Sequence, residues 1–227
     1  HISAATNSAL ALAAGEYIGL LDHDDALTPD ALFENVKLLN EHPDADMIYS
    51  DEDKMDAGGR CYERFCKPEW SPELILGQMY TCHFGVYRTS LVRQIGGMRR
   101  GFEGSQDHDL VLRLTEQTGH IHHIPKILYH WGAMAGSAAG SLQAKTYAVE
   151  AGIKAVTEAL ERRGTPGSAE PVPGFDGAYQ VRFSLQTQPL ISILVLSRDN
   201  SERLSACLQS IFDKTKYPHF EVLVVGA

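Results

Sequence analysis

Tyr17-Ile18-Gly19-Leu20-Leu21-Asp22-His23-Asp24-Asp25 is a mostly apolar run followed by three acids within four positions. The pattern predicts a strand over 17–21 that runs out into a carboxylate-lined loop. Adjacent leucines suit a parallel strand covered on both faces. Open α/β sheets bind their ligands at the edge where such strands end. Carboxylates crowded there repel one another, which favours a hard divalent cation between them. The plainer alternative is a solvated loop that caps a helix, because Thr28-Pro29-Asp30 follows at once.

The flanking sequence extends the α/β reading. Residues 3–14 are alanine-rich and predict a helix stopped by Gly15. Residues 29–40 predict a second helix, with Pro29 in its first turn and Leu32, Val36 and Leu39 on its apolar face. Asp46-Met47-Ile48-Tyr49-Ser50 reads as a strand that also ends in acids, Asp51-Glu52-Asp53. Two strands joined by a helix are the signature of a βαβ unit in a parallel sheet.

Residues 54–82 read as irregular, with a turn at Gly58-Gly59 and a rigid Lys67–Pro72 connection. A strand is expected over 81–87 and a short helix over 89–95. Gln106-Asp107-His108-Asp109 opens a helix reaching about 117, its acids where the helix dipole favours them. Residues 121–131 read as an extended segment whose Pro125 suits an edge or a connection. A long helix is expected over 141–163, with Val149, Ile153, Val156 and Leu160 in a stripe. Residues 164–189 are rich in Pro and Gly and read as a linker, with a short strand from Tyr179 to Leu185. From Pro189 the pattern restarts as strand (190–196), helix (201–213) and strand (220–225).

Bulk properties narrow the function. The chain has 227 residues, 44% of them hydrophobic, with 20 Lys plus Arg against 29 Asp plus Glu and a formal charge of −9. An acidic balance argues against nucleic acid or an anionic membrane as the main partner. The four cysteines have no zinc-site spacing and are read as free thiols in a reducing cytoplasm.

Residues 1–32, 42–54, 65–76, 82–114 and 122–131 together carry a resemblance. They include "GEYIGLLDHDDALTPDAL", "HPDADMIYSDEDK", "FCKPEWSPELIL" and "GFEGSQDHDLVLRL". The chain resembles the family 2 inverting glycosyltransferases of the GT-A fold, in particular tandem-domain bacterial polysaccharide and O-antigen enzymes. The resemblance implies an α/β architecture with a Rossmann-like mixed, mainly parallel sheet flanked by helices. Residues 1–163 match the back part of one transferase domain, 164–189 the linker, and 190–227 the opening β-α-β of a second. The first domain's own nucleotide-binding strands are not ahead of His1. The tail is therefore expected to dock onto the first sheet and replace them, within the chain or by swapping in a homodimer.

The resemblance also implies a chemistry. A sugar would pass with inversion from a nucleotide-sugar donor to a glycan or lipid-linked glycan acceptor, with Mg²⁺ or Mn²⁺ on the diphosphate. Asp22-His23-Asp24 matches the family's Asp-x-Asp motif. Asp24 is implied as the metal ligand, Asp22 as a ribose or metal contact, and Asp25 as support. Asp107 matches the catalytic base, and His130 the late histidine that completes the metal site. Asp51 and Glu52, at a second strand end, are expected to contact the donor or acceptor, or else to be solvated acids. Gly132-Ala133-Met134-Ala135 stands where such relatives carry Arg and further polar residues. The expected setting is cytoplasmic, peripheral to the inner face of the membrane. From another class, the alternative is an incomplete, inactive module that binds carbohydrate or serves assembly.

Overall fold

In the computed structural model, residues 2–132, 142–198 and 201–226 are described; they fall into two compact units, 1–183 and 184–227. The first unit opens with α1 (Ile2–Leu12) and β1 (Tyr17–Gly19), followed by β2 (Ala26–Leu27), α2 (Ala31–Glu41) and β3 (Met47–Met55). Next come β4 (Cys61–Phe65), α3 (Leu74–Gly77), β5 (Gly85–Arg88) and α4 (Thr89–Gln94). It closes with α5 (Gln106–Thr115), β6 (Ile121–Gly132), α6 (Leu142–Arg162), β7 (Gly167–Pro171) and β8 (Tyr179–Phe183).

Six strands form one mixed sheet in the order β1-β5-β3-β6-β2, with β4 paired to β3. β5 runs antiparallel to both β1 and β3, and β3 runs parallel to β6. β1, β3 and β6 therefore point the same way, although β5 lies between the first two. Their carboxyl ends share one edge of the sheet. That shared edge gathers the 22–25 loop, the 51–53 acids and His130. Leu21 is 51% exposed, so the leucine pair does not mark a strand covered on both faces.

Several elements differ from the sequence expectation, each for a local reason. β3 does not end at its acids but runs straight through them, and Asp51, Glu52 and Asp53 are buried. β6 is an interior strand despite Pro125. Ser50 pairs with Ile124 and Asp51 with Ile127, so Pro125 and Lys126 sit in a bulge where no ladder donor is required. α2 turns Ala31 and Asn35 inward and leaves Leu32 and Val36 exposed; the small residues are the ones that fit against the sheet.

The first unit's main core packs Met47, Tyr49 and Tyr87 from the sheet against Leu110, Leu112 and Leu114 of α5 and Val156 and Leu160 of α6. The segment read as a linker belongs to this unit. β7 and β8 form an antiparallel hairpin, and Tyr179 joins the core. Tyr179 approaches α6 at Gly152, where a Cβ would collide with its hydroxyl. Proline and glycine in 164–177 shape the turns of a packed hairpin.

The second unit contains β9 (Ile191–Ser197), α7 (Ser201–Lys214) and β10 (Phe220–Gly226). β9 and β10 pair in parallel as a two-stranded sheet of their own. α7 has no buried residue.

Candidate active site

At the shared carboxyl edge, the pocket is lined by Asp22, Cys82, His83, Gln106 and Asp107, together with apolar Leu20, Leu21 and Met98. Asp107 lies in the first turn of α5. Burial pushes its carboxyl up to about 6; the nearby positive charge on His83 lowers it and Asp22 raises it further. Gln106 Nε2 donates to Asp107 Oδ2 at 3.0 Å. The helix start favours the ionised carboxylate, but desolvation is the larger effect and raises Asp107.

His83 sits opposite, stacked on Tyr129 with ring centroids 4.8 Å apart. Its backbone N–H donates to Glu52 Oε2, and its Nδ1 lies 3.4 Å from the same oxygen. Lys67 Nζ also reaches Glu52 Oε2 at 3.1 Å. Burial alone would raise the Glu52 carboxyl. The hydrogen bond from His83 and the Lys67 charge outweigh it and leave Glu52 below its usual range. Lys67 is lowered by burial despite Glu52.

The acidic loop is held from behind by β6. The Tyr129 hydroxyl donates to Asp25 Oδ2 and accepts from the Asp22 N–H at 3.4 Å, and the Gly132 N–H donates to Asp25 Oδ1 at 2.7 Å. A Cβ at Gly132 would collide with the Asp24 carbonyl, so only glycine allows this approach. Asp22, Asp25 and His83 offer one ligand atom each, all within 4.8 Å of one another.

The predicted residues are thus brought together in part. Asp22, Asp25 and Asp107 converge on the pocket region. Asp24 is half-buried and lies outside the pocket lining, its Oδ1 3.6 Å from His23 Nδ1. His130 does not join Asp22 or Asp24. Its Nδ1 lies 2.5 Å from Asp53 Oδ1 and 3.5 Å from Cys61 Sγ, and these three form a separate potential metal-binding group. The reason is register: β6 pairs His130 directly with Asp53 on β3.

Asp51 accepts from the Lys67 N–H at 2.9 Å and meets His123 Nε2 at 2.8 Å. Asp51 and Glu52 are therefore not solvated acids: both are buried, with Asp51 Oδ1 and Glu52 Oε2 engaged inside the protein. Asp109, two residues beyond Asp107, is fully buried and orients the fold. It accepts from Arg99 Nε at 3.1 Å and from Arg113 Nε at 2.9 Å. Ala133, Met134 and Ala135 lie outside the described residues. Sequence reasoning undervalued His83 and missed Lys67. Nothing in Thr81-Cys82-His83-Phe84 distinguishes a ligand from a core histidine, and Lys67 reads as part of a connection.

Residues 1–96 match the model of Glycosyl transferase family 2. The family match thus runs from α1 through β5 and α4. It is 46% identical over 231 residues to an uncharacterised protein of Sinorhizobium fredii, a match covering 99% of this chain and 25% of that protein. It is 40% identical over 224 residues to the O-antigen biosynthesis protein RfbC of Myxococcus xanthus, covering 98% of this chain and 17% of that protein. The chain therefore spans a quarter or less of these two relatives. Among solved structures, S. aureus TarS 1–349 aligns with a TM-score of 0.47 at 14% identity, covering 81% of this chain and 77% of that one. No helix among the described residues is long and apolar enough to cross a membrane.

Proposed function

We propose that this chain supplies the acceptor and base side of a metal-assisted sugar transfer, from a nucleotide-sugar donor to a glycan or lipid-linked glycan acceptor, with inversion. The observation that carries the reading is the pairing, in one pocket, of a buried carboxyl near neutrality with an acidic loop. A general base works best with a pKa close to the working pH. Asp107, at about 6, is mostly ionised at neutral pH yet still able to hold a proton. In this reading it takes the proton of the acceptor hydroxyl at one of its carboxylate oxygens, while Gln106 steadies the other. The apolar Leu20 and Met98 exclude water from the same pocket.

The donor set Asp22, Asp25 and His83 fits a divalent ion: two carboxylates and one imidazole suit Mn²⁺ or Mg²⁺ completed by phosphate oxygens. When bound, such an ion neutralises the charge that develops on the leaving diphosphate. Asp24 stands next to this group on the same loop and serves as an outer ligand or a ribose contact. Glu52, Lys67 and Asp51 hold His83 and the sheet edge in place. The similarity to RfbC, an O-antigen biosynthesis protein, supports a polysaccharide acceptor.

Calorimetry with nucleoside diphosphates, with and without Mn²⁺, tests the proposal. The expected result is binding that depends on Mn²⁺ and is lost in Asp22→Asn/Asp25→Asn. Asp107→Asn should abolish transfer and leave nucleotide affinity within about twofold, since a base contributes to the chemical step and little to ground-state binding. Absence of nucleotide binding would replace this reading with the incomplete, inactive module.

A further inference from the structure

The opposite edge of the sheet, where β3 and β6 begin, carries a second cluster of ligand-type side chains that the transfer chemistry does not use. We propose that His42, Asp44 and His122 form a binding site there for a divalent transition-metal ion such as Zn²⁺ or Ni²⁺. One ligand atom from each lies within 4.8 Å of the others. The two imidazoles are stacked, with centroids 4.3 Å apart and planes 29° apart, so they face one another across a narrow gap.

His42 and Asp44 stand two positions apart and His122 comes from a distant stretch, so spacing alone does not announce the group. The fold fixes their backbones firmly. His42 closes α2, with its N–H bonded to Leu38 O at 2.7 Å, and its own carbonyl accepts from Ala45 N at 3.0 Å. His122 is set by the β3–β6 register, opposite Ile48, and Asp46 N bonds to His120 O at 2.9 Å. Only side-chain rotation is then needed. Zinc–nitrogen and zinc–oxygen bonds of about 2.0–2.2 Å place ligand atoms roughly 3.3–3.5 Å apart, so the three donors draw together by about 1 Å. His42 and the 61%-exposed Asp44 side chain have the freedom to do so.

Charge and competition point the same way. The neighbouring Asp46 is already committed, to Arg88 Nε at 2.7 Å and Thr118 Oγ1 at 2.5 Å. Asp44 is left with His120 Nε2 at 3.7 Å, a loose approach that an ion would displace or recruit. Two imidazole nitrogens and one carboxylate select a borderline transition metal over Mg²⁺ or Ca²⁺, which take oxygen sets. Such an ion would clamp the end of α2 to the start of β6. α2 follows the acidic loop and β6 ends at Tyr129 and His130, so the clamp would brace the frame of the carboxylate pocket from its far side.

The test is Zn²⁺ equilibrium dialysis on the 227-residue chain carrying Asp22→Asn/Asp25→Asn and Cys61→Ser/His130→Gln, which removes ions from both the carboxylate pocket and the Asp53–Cys61–His130 group. One Zn²⁺ per chain should remain. Adding His42→Gln, Asp44→Asn or His122→Gln should weaken it at least tenfold, about 1.4 kcal/mol. Zn²⁺ should raise the melting temperature of the parent and leave that of the His42→Gln form unmoved. In the unsubstituted chain, Zn²⁺ should protect His42 and His122 from carbethoxylation, a readout that requires no variant to fold. Unchanged Zn²⁺ affinity in the His42 and His122 variants, or modification of both histidines at the same rate with and without Zn²⁺, would overturn the site and leave a simple imidazole stack.

Discussion

Replacing Asp107 with Asn should make the protein more stable at neutral pH while disabling it. The carboxyl titrates at about 6 in the folded chain against 3.8 for the free group, because burial opposes its charge. Between those two values the folded state holds a proton that the unfolded state has lost, so stability falls as pH rises. The favourable contribution is complete below about pH 3.8 and gone above about pH 6. A difference of about two pKa units corresponds to about 3 kcal/mol. Asp107→Asn keeps the shape, retains an oxygen to accept from Gln106 and removes the titration. Urea unfolding in chelator from pH 4 to 8 should show the variant gaining about 2–3 kcal/mol at pH 7–8, with the gap closing towards pH 4. Mn²⁺ should shrink the gap, because a cation near Asp22 favours the ionised Asp107. In the unsubstituted enzyme, kcat/KM should fall about tenfold per unit below pH 6 as the base becomes protonated. A variant that is less stable than the parent at pH 7, or a gap that does not change with pH, would refute the buried-base reasoning.

Other perturbations test the frame of the site. Asp109→Ala leaves buried Arg113 without its carboxylate and Arg99 with Glu158 alone, and should cost about 3–5 kcal/mol in urea unfolding, as for a broken buried ion pair. Lys67→Met leaves Glu52 buried without its cation; it should cost about 3 kcal/mol at pH 7, and adding Glu52→Gln should recover much of that in a double-mutant cycle. Gly152→Ala forces Tyr179 off α6 and should cost about 1–3 kcal/mol, with faster proteolysis between residues 167 and 183 as the direct readout.

The readable and unreadable parts of the sequence divide along physical lines. Helices such as 106–115 and 142–162 follow from caps and spacing and were legible to within a few residues. The acidic loop was legible as well, because apolar residues ending abruptly in carboxylates signal a strand end. What periodicity could not show was pairing. The Asp51-Glu52-Asp53 run looks solvated until His123, Lys67 and His130 arrive from distant stretches to satisfy it. Pro125 looks like an edge marker because a two-residue bulge is invisible in one strand read alone. His83 and Asp25 are held in place by contacts spanning 31 to 107 residues, which no local pattern encodes.

The interleaving of β5 between β1 and β3 also dictates an order of assembly. Among the described residues β1 pairs with β5 alone, Tyr17 meeting Arg88, so its partner is about 70 residues further along the chain. Contacts that distant close slowly, since the entropy of a long loop must be lost before the pairing is gained. The β3–β4 pairing is local in sequence, whereas Tyr17–Gly19 must wait for Gly85–Arg88 to leave the ribosome. Arg88 then locks the late arrival, bonding Asp46 on one side and Glu16 on the other. The acidic loop is therefore among the last parts of the first unit to become ordered, and a nascent chain stalled before residue 85 would carry its carboxylates without the strand that aims them.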